Sequence, residues 1–286
     1  MKPIAFSAPK SLTEALSLIG GPEVAILGGG TDLIIQHREG RRALSHMVDV
    51  KGIPELNVLE YDAGKGLTLG AAVSCEAFTD FAPAQQHYPG LVEGAELIGS
   101  TQIQSRATVG GNVCNGSPAA DSICSLIALE AVCVVAGPGG QREIPAGEIM
   151  TGPGKTALQP GELLVAFRIP PRPERSSDAY QRFIPRNEMD IAVAGVGVAM
   201  TLAADGTVQA ARVVIGAVAP TPLLVPAAGE ALVGSKLEPA ALDAAARASA
   251  EAARPITDAR GTADYRRHLA GVLTRRVAQQ AAQRCG

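Results

Sequence analysis

The sequence is poor in aromatic residues and carries no excess of positive charge. Tryptophan is absent, aromatic residues make up 3% of the 286 residues, and the formal net charge is −3. Nucleic-acid-binding surfaces need clustered Lys and Arg, and those for single strands also need aromatic rings that stack on bases. The composition therefore argues against a nucleic-acid partner.

A long apolar run is also missing. The most apolar stretch, residues 191–204, is shorter than the ~20 residues that a membrane-spanning helix needs, and it predicts a buried strand. Residues 1–6 do not form the apolar core of a secretion signal. We therefore expect a cytoplasmic protein without a membrane span.

Metal-ligand spacing is absent from the sequence as well. The five cysteines include no Cys-x-x-Cys pair, and the four histidines lie far apart in the chain. An odd number of scattered cysteines is typical of free thiols in a reducing compartment. No metal site is expected in this chain.

A proline-rich break divides the chain. Residues 170–177 are rich in proline and polar side chains, which predicts a domain boundary. The expected domains are residues 1–172, with subdomains of about 1–52 and 53–172, and residues 178–286.

Local folding signals lie on both sides of this break. Ser11 and Glu14 have the spacing of a capping box, which predicts the start of a helix that ends at Gly20. Further elements predicted before the break are strands at 24–27, 47–50, 67–71 and 132–136, and helices at 33 to about 38, near 75–81 and near 119–129. Predicted after the break are strands at 180–184, 191–202 and 208–215, a turn at Asp205-Gly206, and a helical tail from about 227 whose last helix covers 265 to about 284.

The first glycine cluster, Gly28 to Asp32, lies between a predicted strand and a predicted helix. Free backbone N–H groups and the helix dipole attract anions at such a junction, so a diphosphate could bind there. A simple chain-reversing turn explains the same residues equally well. The cluster is not a G-x-G-x-x-G dinucleotide fingerprint, because position 33 is Leu.

The second cluster begins at Thr108-Val109-Gly110-Gly111-Asn112 and continues with polar residues to Asp121. Paired glycines allow a backbone to approach a flat ligand closely, and the polar side chains offer hydrogen bonds. Asp121 could accept hydrogen bonds from ribityl or ribose hydroxyls. Alternatively, Asp121 belongs to the N-terminal cap of a helix.

Several segments, in their order along the chain, resemble one known family. "GGGTDL", "ATVGGNVCNGSPAADSICSLIALEA" and "PGELLVAFRIP" are similar to the FAD-binding subunits of molybdenum hydroxylases such as carbon monoxide dehydrogenase. The same module forms the central part of xanthine dehydrogenase. "MDIAVAGV", "GAVAPTPL" and "PITDARGTADYRRHLAGVLTRR" extend the resemblance over essentially the whole chain.

The resemblance implies a fold and a set of cofactor contacts. The implied fold is α+β: a bipartite FAD-binding domain of the vanillyl-alcohol oxidase type, followed by a C-terminal antiparallel sheet with helices. The implied diphosphate-binding residues are Gly28, Gly29, Gly30, Thr31, Asp32, Leu33, Thr108, Val109, Gly110, Gly111 and Asn112. Asp121 would bind sugar or ribityl hydroxyls, and the residues implied near the flavin ring are Ile98, Leu164, Ile184 and Ile191.

Two departures from the family pattern stand out. Carbon monoxide dehydrogenase carries a Tyr at the position of Ile191, and an Ile cannot cover the ring with a π-face, so the choice of electron acceptor could differ. Relatives that reduce 4-hydroxybenzoyl-CoA have a Cys-rich loop for a four-iron cluster. This chain leaves no room for that loop between Asn112 and Ser117, and we interpret Cys114 and Cys124 as small buried hydrophobic residues.

The implied function is electron relay. A large partner subunit oxidises the substrate at molybdopterin, a small subunit passes electrons through two 2Fe–2S clusters, and FAD in this chain hands them to NAD or another acceptor. The usual assembly is a dimer of heterotrimers. No catalytic nucleophile or general base is expected here. The alternatives are a flavin-free scaffold subunit and a nicotinamide dehydrogenase, which the missing fingerprint disfavours.

Overall fold

The N-terminal region of the computed structural model, which describes residues 4–286, is a small parallel sheet with two helices. Ser11 caps the first helix by accepting a hydrogen bond from the Glu14 backbone N–H, as the capping box predicts. The strand order is β1-β3-β2. The elements are β1 (Ala5–Ser7), α1 (Leu12–Leu18), β2 (Val24–Leu27), α2 (Leu33–Arg38) and β3 (His46–Asp49).

A five-stranded antiparallel sheet follows, flanked by short helices and preceded by a 3₁₀ turn at Pro54–Asn57. Its strand order is β4-β5-β10-β6-β7, so the strand that comes last in the sequence, β10, lies at the centre of the sheet. The strands are β4 (Leu59–Asp62), β5 (Gly66–Gly70), β6 (Val132–Gly137), β7 (Gly140–Pro145) and β10 (Leu163–Ile169), and β8 (Met150–Gly152) pairs with β9 (Lys155–Thr156). The helices are α3 (Cys75–Thr79), α4 (Ala82–His87), α5 (Pro89–Glu96), α6 (Thr101–Gln104), α7 (Val109–Cys114) and α8 (Ile123–Ala128).

The C-terminal region is a four-stranded antiparallel sheet covered by helices. The turn at Asp205-Gly206 joins its second and third strands, and Gly206 has the positive φ of +83° that such turns favour. The strands are β11 (Ser176–Phe183), β12 (Ala194–Leu202), β13 (Val208–Gly216) and β14 (Leu223–Leu224), and the helices are α9 (Pro226–Leu232), α10 (Pro239–Ala252) and α11 (Ala263–Arg284).

Three sequence predictions were wrong in their boundaries. The predicted strand from Ile191 begins only at Ala194, because the preceding loop is held by ion pairs of Asp190 and leaves Ile191 52% exposed. The predicted helix near 119–129 begins at Ile123, because Ser117 to Ala120 form a turn closed by the Ala120 N–H and the Ser117 carbonyl. The strand predicted at 180–184 begins four residues earlier, at Ser176. The other predicted elements are confirmed to within two residues.

The C-terminal sheet packs against both of its neighbours. One face contacts α5 and α8 of the preceding region, and Tyr180, Ala199 and Val214 on that face belong to the same apolar core as those helices. The other face is covered by α9 and α11. Within residues 4–286, no helix is both long and apolar enough to span a membrane.

Candidate functional site

Two adjoining cavities lie between the N-terminal parallel sheet and the five-stranded sheet, with volumes of about 540 and 120 Å³. We call the two cavities together the cleft. The residues that line both cavities are Ile26, Gly28, Arg42, Thr108, Gly111 and Cys114. Both glycine clusters therefore meet at the junction of the two cavities, although 80 positions separate Gly28 from Thr108.

The loop from Gly28 to Thr31 forms one wall of the smaller cavity. Gly29 packs tightly, since a Cβ there would lie 2.1 Å from the Arg106 carbonyl oxygen. The backbone N–H groups of Gly29, Gly30 and Thr31 donate no hydrogen bond to any group in residues 4–286. Unpaired N–H groups at the edge of a cavity can donate hydrogen bonds to an anion, so this loop is a candidate anion-binding site.

Lys51 forms a hydrogen bond with the first residue of this loop. Its Nζ donates to the Gly28 carbonyl oxygen at 3.1 Å and to Asp49 Oδ1 at 2.7 Å. The lysine thus fixes the orientation of the Gly28 carbonyl and places a positive charge next to the loop. Sequence reasoning did not identify this role, because Lys51 lies beyond the following strand, β3.

Replacing Lys51 by Met is expected to weaken binding of a diphosphate ligand roughly 10-fold, because a charge-assisted hydrogen bond is lost. Asp49 would also lose its ion-pair partner, which leaves an uncompensated negative charge near the loop. Flavin fluorescence titration with FAD measures the effect. Lys51→Arg should restore most of the affinity, and Lys65→Met, at an exposed position, is the control. Unchanged affinity of Lys51→Met would contradict the proposed role.

The opposite wall of the cleft is the first turn of α7. The Thr108 side chain caps this helix by accepting a hydrogen bond from the Gly111 N–H at 2.8 Å. The two glycines of the turn differ in what surrounds them. A Cβ on Gly110 would lie 2.4 Å from the Ala71 carbonyl oxygen, whereas a Cβ on Gly111 would meet only Thr108 Oγ1, at 3.0 Å. Gly110 is therefore required for packing, and Gly111 keeps the cleft open.

Two asparagines of this region make contacts across it. The Asn112 side-chain oxygen accepts a hydrogen bond from the Ser122 hydroxyl at 2.8 Å, which ties α7 to the start of α8. The Asn115 side-chain oxygen accepts one from Gln36 of α2 at 3.1 Å. This second bond links the two walls of the smaller cavity, and both Gln36 and Asn115 line it. Sequence reasoning did not identify Gln36, and it included Asn115 only as one of the polar residues of the second glycine cluster.

The larger cavity has an apolar wall suited to a planar ring. The branched aliphatic residues that line it are Ile19, Val24, Ile26, Val50, Leu56, Leu158, Leu163 and Leu164. Leu164 thus lies in the larger cavity, whereas Ile98 lines the smaller one. The two residues that the family resemblance placed near one ring are in different parts of the cleft.

Cys114 was interpreted from the sequence as a small buried residue, and that interpretation was wrong. The structure exposes Cys114, because it lines both cavities of the cleft.

Asp121 lies outside the lining of both cavities. Its carboxylate accepts hydrogen bonds from Arg182 at 2.5 Å and from the Tyr180 hydroxyl at 3.0 Å, both on β11 of the C-terminal region. Burial raises the pKa of Asp121 to about 6, although the Arg182 guanidinium and both hydrogen bonds oppose the rise. The cap of α8 is Ser122, so the alternative interpretation of Asp121 as a helix cap was wrong.

Ile184 and Ile191 also lie outside the lining of the cleft. Ile184 follows β11 and is partly buried, and Ile191 is exposed on the loop before β12. Asp190 in that loop pairs with Arg260 at 3.3 Å. The ion pair holds the loop to the segment before α11.

Known proteins match the chain over both regions. Residues 2–172 match the FAD binding domain in molybdopterin dehydrogenase, and residues 179–281 match the CO dehydrogenase flavoprotein C-terminal domain. The fold and the cleft thus define an FAD-binding oxidoreductase subunit. The chain belongs to the family of FAD-binding medium subunits of molybdenum hydroxylases.

Individual relatives align along their whole lengths. The chain is 31% identical to a putative xanthine dehydrogenase FAD-binding subunit from Escherichia coli strain K12, covering 96% of this chain and 95% of that protein. It is 33% identical to the carbon monoxide dehydrogenase medium chain of Hydrogenophaga pseudoflava, covering 98% and 97%. The solved structure of CO dehydrogenase from Oligotropha carboxidovorans superposes with a TM-score of 0.94 at 32% identity, covering 99% of this chain and 98% of that one.

Proposed function

We propose that this FAD-binding subunit relays electrons from the 2Fe–2S clusters of a small partner subunit to NAD or another soluble acceptor. The observation that supports this proposal is the cleft itself, where unpaired loop N–H groups face the first turn of α7 beside an apolar cavity. This combination fits a cofactor made of a diphosphate and planar rings. When bound, FAD supplies a centre that takes up electrons singly and releases them in pairs.

The residues of the chain have separate parts in this proposal. The loop Gly28 to Leu33 and the turn Thr108 to Asn112 bind the diphosphate. Leu164 and its apolar neighbours exclude water from one ring, and Ile98 contacts the part of the cofactor in the smaller cavity. Direct contact of Asp121, Ile184 or Ile191 with the cofactor stays a prediction, since none of the three lines the cleft.

The proposed organisation extends to domains and assembly. The division into residues 1–172, with subdomains of about 1–52 and 53–172, and residues 178–286 is supported by the separate sheets. We propose a dimer of heterotrimers in the cytoplasm, with a small 2Fe–2S subunit and a large molybdopterin subunit. The substrate is chosen by the large subunit.

The first test is an absorption spectrum of the purified chain, with the released cofactor identified by mass. One FAD per chain supports the relay. A chain that stays colourless after incubation with FAD and its partner subunits would leave the flavin-free scaffold as the better explanation. The acceptor is tested separately, by mixing the reduced complex with NAD under anaerobic conditions and following flavin reoxidation.

Cys114 offers a second test of the same proposal. It is the one exposed cysteine among residues 4–286, and it lines both cavities, whereas the other four are buried. Bound FAD is expected to slow the alkylation of Cys114 by N-ethylmaleimide by at least about 10-fold, because a ligand in the cleft covers the thiol. Mass spectrometry after timed labelling measures the rate, and Cys114→Ser controls for labelling elsewhere. Equal rates with and without FAD would contradict binding in this cleft.

A further inference from the structure

Arg42 is the only lysine or arginine that lines the cleft in the described part of the chain. Arg42 lines both cavities, at the junction where Gly28, Thr108 and Gly111 also meet. The other charged residues of the lining are Asp32 in the smaller cavity and Glu162 in the larger one. A doubly charged diphosphate at this junction therefore has one cationic side chain available.

The Arg42 guanidinium is free to bind a ligand. It is exposed, and its side chain makes no hydrogen bond or ion pair with any group in residues 4–286. Glu162 does not compete for it, because both oxygens of that carboxylate are bound by Arg142, at 2.7 and 2.8 Å. The neighbouring Arg41 differs, since it pairs with Glu39 at 2.5 Å and does not line the cleft.

The backbone around Arg42 is held in place although it lies in a loop. The Arg42 N–H donates to the Gln36 carbonyl at 3.3 Å, and the His37 ring lies 3.3 Å from the Arg42 carbonyl. Leu44, two residues later, is buried in the N-terminal core. These contacts fix the base of the side chain beside the cleft and leave its guanidinium able to turn toward a ligand.

We propose that Arg42 binds the diphosphate of FAD, an inference that rests on the proposed FAD site. The loop N–H groups supply only partial charges, and the guanidinium adds a full charge with two parallel donors, the geometry that phosphate oxygens accept best. Arg42 is thus a binding residue beyond both glycine clusters.

The test compares Arg42→Gln with its neighbour, Arg41→Gln, by fluorescence titration of the apo-protein with FAD at low and high salt. Arg42→Gln is expected to bind FAD roughly 10- to 100-fold more weakly and with a smaller salt dependence, because one charge-assisted contact is lost. Arg41→Gln should bind like the wild type, and Arg42→Lys should recover part of the affinity. Melting curves of the apo-proteins verify that all variants fold.

The outcomes separate the two proposals. Unchanged affinity and salt dependence in Arg42→Gln, with a wild type that binds FAD, would overturn the role of Arg42 alone. A wild type that binds no FAD would overturn the FAD site and, with it, this inference. Equal weakening in Arg41→Gln and Arg42→Gln would also overturn it, because a general charge effect would then explain the loss.

Discussion

Gly111→Asp is expected to lose FAD binding by at least about 100-fold while the chain stays folded. The new carboxylate enters the cleft beside the diphosphate, and two unit charges about 4 Å apart repel by about 4 kcal/mol at an effective dielectric constant of about 20. The fold is expected to tolerate the change, because an acidic residue in the first turn of a helix is favoured by the helix dipole. Flavin content after purification and a titration with FAD measure the loss.

Two glycine variants serve as comparisons for Gly111→Asp. Gly139→Asp adds the same charge at an exposed turn where a Cβ meets nothing within 4 Å, and it should bind FAD normally. Gly110→Ala should instead lower the melting temperature, because its Cβ would clash with the Ala71 carbonyl. Normal flavin content in Gly111→Asp would show that this turn of α7 does not face the diphosphate.

Arg182→Met is expected to lower the free energy of unfolding by roughly 3–5 kcal/mol at pH 8. Arg182 forms an ion pair with Asp121 in which the two side chains are only 5% and 8% exposed. Removing the guanidinium leaves a buried carboxylate with the Tyr180 hydroxyl as its remaining partner. Chemical denaturation followed by circular dichroism measures the loss.

The loss should depend on pH. The pKa of Asp121 in the folded chain, about 6, lies above its ordinary value of 3.8, so ionisation of this group opposes folding. The destabilisation caused by ionised Asp121 is fully present above pH 6 and disappears as the pH falls toward 4. Without Arg182 the folded pKa rises further, so the difference between Arg182→Met and the wild type should narrow between pH 8 and pH 5.5.

A double variant isolates the charge from the packing. Asp121→Asn combined with Arg182→Met removes both charges, so titration at position 121 no longer contributes to its stability. Relative to the wild type, its stability should change less between pH 8 and pH 5.5 than that of Arg182→Met, and in the opposite direction, because only the wild type gains stability as its Asp121 is protonated. Asp178, whose pKa burial raises to about 7, titrates in every variant and cancels in the comparison. A loss in Arg182→Met that is the same at both pH values would contradict an unpaired Asp121 as its cause.

Much of the fold was predictable from local signals. The Ser11 cap, the turn at Asp205-Gly206 and the strand–loop–helix unit around Gly28 depend on residues a few positions apart, and the structure has all three. The strand orders were not predictable in this way. β10 pairs with β5 on one side and with β6 on the other. This arrangement depends on which strand edges are free when distant segments of the chain meet, and hydrophobic periodicity does not encode the pairing partners of a strand.

For this protein, the sequence by itself determined the two glycine clusters and, through the order of its motifs, the FAD-binding family. Only the tertiary structure decided how the site residues are grouped. It joined Thr108 and Gly111 to Arg42 in one cleft, supported Gly28 with Lys51, and turned Asp121 away toward Arg182 and Tyr180. The physical reason is the range of the interactions: caps and turns form within a few residues, whereas a long charged side chain finds its partner only after the chain has packed.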